Sequence, residues 1–245
     1  MSDCIVNPTR SPKDPQLPPI GILAVNPADS ACFTSLARRH GLAGHALFHA
    51  QLLANDSFFL AGPAVGAPMA AICLEKLIVL GARRILVYGW CGSLHPTLAA
   101  GELFIPTGGI SEEGTSGHYQ APAASNGNSL QAALVDAVAV STPDGSCGFK
   151  LAKQGLIWTT DALYRETREK VARYGAQGVM AVDMEYTALR SVAAFRQVDL
   201  AAAMLVSDEL YHRVWSPRMH LKRFRRQSRH LLEYLCSLIQ CGKIA

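Results

Sequence analysis

Val179-Met180-Ala181-Val182-Asp183-Met184-Glu185-Tyr186 is an apolar run that ends abruptly in two carboxylates. Beyond it Met184, Ala188 and Val192, with Leu189 and Phe195, recur at helical spacing. The pattern predicts a strand running into a helix, with Asp183 as N-cap and Glu185 in the first turn. Further along, Leu200-Ala201-Ala202-Ala203-Met204-Leu205-Val206 runs into Ser207-Asp208-Glu209 in the same manner. Ligands of open α/β sheets bind outside the carboxyl ends of strands, so both acidic groups are expected at one crevice. Macrodipole stabilisation of a first-turn acid, a few tenths to about 1 kcal/mol, explains either junction taken singly. Two of them on consecutive units point further, to a site.

The rest of the chain sets the frame. Its 245 residues, 49 % hydrophobic and 17 % charged, suffice for one large core, read as a single domain over 20–245. Residues 1–19 carry five prolines and no apolar stretch, and are expected to form a loose, partly extended arm rather than a secretory signal. No apolar run approaches the roughly 18 residues of a membrane span. Seven scattered cysteines without a C-x-x-C pair argue against a zinc site or disulfide framework, and for the reducing cytoplasm. Arg213 to Arg229 holds seven of the 23 Lys and Arg residues and no acid, leaving 16 against 19, or −3, elsewhere. Such a stripe raises nucleic-acid binding. However, Leu221, Phe224, Leu231, Leu232, Leu235 and Ile239 lie at helical spacing within and beyond it, so a C-terminal amphipathic helix with a solvated basic face is the expectation, without a nucleic-acid or membrane partner.

Apolar runs mark further strands at Ile20–Val25, Ser57–Ala61, Arg84–Gly89, Glu102–Pro106 and Gly155–Thr160. The first ends in the turn Asn26-Pro27-Ala28-Asp29. The second feeds Gly62-Pro63-Ala64-Val65-Gly66-Ala67-Pro68 and a helix with Met69, Ile72, Cys73, Leu77 and Leu80 inward, Pro68 suiting its first turn. The third feeds Trp90-Cys91-Gly92-Ser93-Leu94, whose flanking glycines Gly89 and Gly92 fit either backbone exposed to a ligand or tight packing. A polar loop, Glu112 to Tyr119, precedes a helix from about Ser129 to Val140 and a Gly-rich connection. A charged helix is expected from Asp161 to near Tyr174. Strands alternating with helices at this spacing give an α/β fold with a mostly parallel sheet.

Taken together, Gly66-Ala67-Pro68, Leu74-Glu75-Lys76-Leu77, Gly89-Trp90-Cys91-Gly92-Ser93-Leu94, Glu112-Glu113-Gly114-Thr115-Ser116, Val182-Asp183-Met184-Glu185 and Val206-Ser207-Asp208 resemble, in order, the nucleoside phosphorylase family of the uridine phosphorylase and hexameric purine nucleoside phosphorylase type. The resemblance covers about Ile20 to Leu210. It implies a three-layer α/β/α sandwich around a mixed, mostly parallel, partly barrel-like sheet, assembled as a homo-oligomer, a dimer or trimer of dimers. It implies phosphorolysis of a nucleoside to free base and ribose 1-phosphate, with inorganic phosphate as co-substrate and no metal or organic cofactor.

By the same resemblance Met184 and Glu185 form the ribose floor, the Glu185 carboxylate accepting from the 2′- and 3′-hydroxyls. Tyr119 walls the nucleoside, and Trp90, Cys91 and Gly92 run along its base and phosphate edges. Ser207 contacts the base, and Asp208 acts as general acid to purine N7, easing departure of a base that carries off an electron pair. Asp208, where uridine-cleaving relatives have an apolar residue, implies a purine, and the Gln-x-Arg pair that reads uracil is not evident in Tyr164-Arg165-Glu166-Thr167-Arg168. The family's phosphate ligands are not matched either: the first turn is Asn26-Pro27-Ala28-Asp29, and the other positions read Val87 and Trp90. The acceptor site is therefore assigned to Asn26, Asp29, Gly66, Gly89 and Ser93, with Asp29 beside the catalytic water if the acceptor is water. Hydrolysis, or nucleoside binding without turnover, are the alternatives. Arg38 to His49 is either a neighbour-directed segment or a polar surface loop.

Overall fold

The computed structural model describes residues 4–119, 129–140 and 152–244; the Gly-rich connection and Cys147 lie outside them. In chain order the elements are β1 (Ile20–Ala24), α1 (Phe33–His40), β2 (Ala43–Leu47), β3 (Ala50–Ala54), β4 (Phe59–Gly62), α2 (Ala67–Leu80), β5 (Arg84–Ser93), β6 (Leu103–Glu112), α3 (Ser129–Val140), β7 (Lys153–Thr160), α4 (Arg168–Ala176), β8 (Val179–Asp183), α5 (Tyr186–Arg196), β9 (Asp199–Glu209), β10 (Ser216–Pro217) and α6 (Lys222–Gln240).

All strands join one mixed sheet, ordered β10-β9-β6-β7-β8-β5-β1-β4-β3-β2, and a second pairing of β9 with β5 closes five strands into a ring. Parallel pairing links β4, β1, β5 and β9, and separately β6, β7 and β8. Antiparallel pairing closes the ring at β5–β8 and β6–β9 and builds the β2–β3–β4 extension. The central strands are apolar on both faces because helices cover both. Alternate residues of β5 and β9, such as Ile85, Val87, Ala202 and Met204, pack with α2 and α5 on one side. Leu86, Tyr88, Ala203 and Leu205 pack with α1, α3 and α6 on the other. Gly89 is a packing glycine: a Cβ there would lie 2.6 Å from Val25 Cγ2 and 3.1 Å from Met204 Sδ.

Several expectations are corrected. Strands β5 and β9 do not stop where their apolar runs stop; they continue through Trp90–Ser93 and Ser207–Glu209, and β9 leads into a loop and the short strand β10 before α6 begins at Lys222. Asp161 opens no helix: Thr167 caps α4, its hydroxyl accepting from Lys170 N at 3.3 Å, while Asp161 accepts from Gly114 N at 2.9 Å. The segment 38–49 is the end of α1 and the exposed edge strand β2 with its hairpin, not a plain loop. Ile72 and Leu221 are exposed rather than inward. The N-terminal arm is tied down: Leu17 is buried and donates to Leu80 O at 2.8 Å, and Lys76 reaches Asp14 Oδ2 at 2.7 Å. Among the described residues no helix is long and apolar enough to cross a membrane.

Candidate active site

The site begins at the junction of β8 and α5. Asp183, buried at the end of β8, accepts Thr159 Oγ1 at 2.6 Å through one oxygen. Through the other it accepts Tyr186 N at 2.7 Å and Glu185 N at 3.1 Å. It thus satisfies the leading amides of α5, as an N-cap does, and fixes the turn that carries Met184 and Glu185. Thr187 N closes on Thr159 Oγ1 at 3.1 Å, locking strand β7 to the same turn.

Glu185 turns back across the sheet, where its Oε1 accepts the Gly66 amide at 2.6 Å. Gly66, at φ +82°, precedes α2 and its N–H is committed to this carboxylate rather than to a phosphate. Burial pushes the Glu185 carboxyl above the ordinary carboxylate range; the Asp183 charge adds to the rise, and the Gly66 amide opposes it. Asp183 itself is raised by burial, against the hydrogen bonds it accepts.

The other wall comes from β9. Its register against β5 shifts between Cys91 and Gly92: Cys91 faces Val206, Gly92 faces Asp208, and Ser207 is the extra residue of a bulge. The inserted residue changes the phase of the strand, so the Asp208 carboxylate as well as the Ser207 hydroxyl reaches the cavity. Asp208 Oδ1 accepts Ser207 Oγ at 2.5 Å and Oδ2 accepts Trp215 Nε1 at 2.7 Å, so both oxygens are acceptors already in use. Gly92 is needed at this approach: a Cβ would lie 2.4 Å from Leu210 Cδ1 and 3.4 Å from Asp208 Oδ2.

These walls enclose a cavity of about 620 Å³, lined by Asn26, Trp90, Cys91, Gly92, Met184, Glu185, Ser207 and Asp208 among the residues expected from sequence. That is the size range of small-molecule sites. Five expected residues do not line it. Tyr119 packs edge-on to Phe195 at 5.7 Å instead of walling the cavity. Ser93 is fully buried, its hydroxyl donating to His95 O at 3.0 Å, and Gly89 packs in the core. Gly66 touches the site only through Glu185. Asp29 lies behind the wall: one oxygen accepts Asn26 Nδ2 at 2.7 Å, Tyr88 OH at 2.6 Å and Ser228 Oγ at 2.5 Å. Trp90 Nε1 donates to the same Ser228 hydroxyl at 2.5 Å, so α6 clamps this wall. Asn26 is also committed, its Oδ1 accepting Ala28 N at 3.0 Å. The Glu112–Tyr119 loop proves structural, Glu113 binding Thr115 N at 2.6 Å and Thr187 Oγ1 at 3.0 Å.

Sequence reasoning missed Glu166, Arg168, His212, Arg213 and Trp215, all on the cavity rim. Arg168 Nη2 donates to Arg213 O at 2.9 Å, joining the first residue of α4 to the loop after β9. Glu166 is raised to about 8, first by burial and then by the charges of Asp208 and Asp183. The signal was Thr167-Arg168-Glu169: a cap at Thr167 would have placed Glu166 outside the helix.

The chain is 29 % identical over 149 residues to guanosine phosphorylase of Halorubrum lacusprofundi, covering 60 % of this chain and 58 % of that protein. It is 27 % identical over 188 residues to a DeoD-type purine nucleoside phosphorylase of Caldanaerobacter subterraneus, 74 % of each. In fold it is similar to purine nucleoside phosphorylase of Toxoplasma gondii in complex with immucillin-H, with TM-score 0.72, 19 % identity and coverage of 92 % and 93 %. It is also similar to an AMP nucleosidase of Bacteroides thetaiotaomicron, with TM-score 0.63, 19 % identity and 90 % of both chains. A family model described as phosphorylase superfamily matches residues 27–240, and with the ring-closed sheet and the Glu185 junction this makes the chain a member of the phosphorylase superfamily.

Proposed function

We propose that the protein cleaves the N-glycosidic bond of a purine nucleoside, with phosphate as acceptor, releasing free base and ribose 1-phosphate. One observation carries the reading: a single cavity has the buried Glu185 on one wall and Ser207, Asp208 and Glu166 on the other. Glu185 accepts from the sugar hydroxyls and its negative charge stabilises the oxocarbenium-like ring as the bond breaks. The carboxyl pair Asp208–Glu166 meets the base, where a proton makes the departing purine a better leaving group. The guanosine and purine nucleoside phosphorylases similar to this chain support phosphate as acceptor.

A second reading, hydrolysis, is favoured by a specific feature. On the wall formed by β1 and β5, the side-chain donors of Asn26 and Trp90 are already bonded within the protein. The guanidinium groups lining the cavity, Arg168 at the start of α4 and Arg213 on the loop after β9, stand instead beside Glu166 and Asp208. A phosphate would then be held weakly, with KM in the millimolar range or above as an order of magnitude. Release of free base from a purine and pyrimidine nucleoside panel, with and without phosphate, tests both readings. Stoichiometric ribose 1-phosphate supports phosphorolysis, and free ribose at a phosphate-independent rate supports hydrolysis. Faster cleavage of uridine than of guanosine, inosine or adenosine refutes the purine assignment.

A further inference from the structure

Two carboxyls share the base end of the cavity, and their surroundings differ. Asp208 has both oxygens engaged by donors, the Ser207 hydroxyl and the Trp215 indole N–H. A carboxylate held that way has no free proton to hand on unless one of those bonds is broken. Glu166 stands in the irregular segment between the 3-10 turn Leu163–Arg165 and the Thr167 cap, half-buried; its backbone N–H donates to Leu163 O at 3.3 Å, while its carboxyl has no hydrogen-bond partner among the described residues. A partly buried carboxyl without a donor is the one whose neutral form the fold leaves undisturbed.

From this contrast we infer that Glu166, rather than Asp208, is the catalytic acid, donating its proton to a ring nitrogen of the departing purine while Asp208 serves as the fixed charge that keeps that proton on Glu166. The inference rests on the proposed glycosidic cleavage. In the step, the C1′–N9 bond breaks and its electron pair passes to the base. The Glu166 O–H proton moves to the purine nitrogen, leaving Glu166 ionised, and an oxygen of phosphate, or of a water that releases one proton to solvent, bonds to C1′. The product base is neutral, and Glu166 regains its proton from solvent. The charged and titratable groups lining the cavity with Glu166 are Asp208 on β9, Asp183 on β8, Glu185 at the start of α5, Cys91 on β5, Arg213 and the His212 imidazole on the loop after β9, and Tyr164 and Arg168 on either side of Glu166 itself. The burial of the carboxyl and the charges of Asp208 and Asp183 drive the rise to about 8, which leaves Glu166 protonated at neutral pH. Sequence inspection passes over the residue because it sits in a charged stretch that reads as a helix surface.

The test compares purine nucleosides with 4-nitrophenyl riboside, whose leaving group needs no protonation. Glu166→Gln keeps shape and neutrality but has no acid proton. It is expected to lower kcat/KM for guanosine or inosine by about 10²–10⁴-fold, and for the nitrophenyl substrate by less than about tenfold. In the parent protein kcat/KM should fall above about pH 8, and Asp208→Asn should move that alkaline limb to lower pH by removing the charge that holds the proton. Equal losses on both substrates, no loss on either, or the selective loss appearing in Asp208→Asn instead would overturn the assignment. A ¹³C NMR titration of the Glu166 carboxyl provides a readout independent of turnover; a midpoint near the ordinary 4.5 would refute it even if the protein proved only to bind nucleosides. Failure of the parent protein to release base from any nucleoside counts against the proposed function instead.

Discussion

Glu185→Gln separates a catalytic carboxylate from a structural one, because the two roles move stability in opposite directions. The side chain is 5 % exposed, and its Oε1 accepts the Gly66 amide at 2.6 Å, a bond that a glutamine oxygen can keep. The fold should therefore survive the change. Burial and Asp183 raise the folded-state pKa from 4.5 to about 8, so between those values the folded state holds more proton than the unfolded state. Stability from this group then falls as pH rises through that window, the reverse of a salt-bridged acid. Glutamine has no proton to lose, so the variant escapes the penalty, and its Tm should exceed the parent's by more at pH 9 than at pH 6. Activity should move the other way. Two charge-assisted hydrogen bonds to ribose hydroxyls, at about 1.5–3 kcal/mol each, weaken together as positive charge develops at C1′. The loss in kcat/KM should be about 10²–10⁴-fold. Melting curves at pH 6 and pH 9, with base release measured on the same preparations, check both halves. A variant less stable than the parent at pH 9 would refute the electrostatic reasoning, and near-normal kcat/KM would refute the ribose role.

Two further outcomes follow from the packing. Ser228→Ala removes a fully buried hydroxyl that meets Trp90 Nε1, Tyr88 OH and Asp29, leaving the Trp90 donor unpaired; about 1–3 kcal/mol, or about 2–10 °C in Tm, should be lost, and an unchanged melting curve would count against the clamp. The protein should self-associate, because β2 presents an exposed strand edge with Phe48, 61 % exposed, at its hairpin; a fully active monomer by light scattering at micromolar concentration would exclude it.

Strands covered on both faces were the legible part of the fold, since Arg84–Gly89 and Leu200–Val206 carry apolar side chains at every position facing a helix layer. Their continuations were not legible. Trp90–Gly92 and Ser207–Asp208 border a cavity instead of a helix layer, and a strand segment facing a cavity has the composition of a turn. The exposed strand β2 lacks an apolar alternation altogether, as an edge does when no layer covers it. Glu185, Met184, Ser207 and Asp208, which line one cavity, were legible as neighbours of one crevice because a carboxylate ending an apolar run stands out. Tyr119 and Asp29 were misplaced because sequence order reveals nearness along the chain, not which side of a wall a side chain takes. Asp29 follows a strand that borders the cavity, yet its oxygen points to α6, nearly two hundred residues later, in a bond no local pattern announces.

What remains is why so acidic a cavity is compatible with its chemistry. Glu185, Asp183, Asp208 and the half-buried Glu166 all border it, and four such carboxylates would repel strongly if all were ionised. The proposed reaction needs them in different states: Glu185 ionised beneath a sugar acquiring positive charge, and Glu166 protonated against a base acquiring negative charge. Asp183 and Asp208 bias this division through their hydrogen bonds, because each holds its charge with donors supplied by the protein. Glu185 holds backbone donors only and the Glu166 carboxyl has no donor among the described residues, so the mobile protons belong to these two. The sugar's developing charge lowers the cost of ionising Glu185 only once substrate is bound, while the purine ring nitrogen gives the Glu166 proton its destination. The free protein should therefore show a narrow bell in kcat/KM against pH, its limbs belonging to the coupled carboxyls as a set rather than to either alone. Bound nucleoside should widen the bell towards acid, by favouring the ionised Glu185, and leave the alkaline limb to Glu166. A profile of kcat no broader than that of kcat/KM on its acid side would show that the sugar does not draw the proton from Glu185, and would break the division of labour between the two walls.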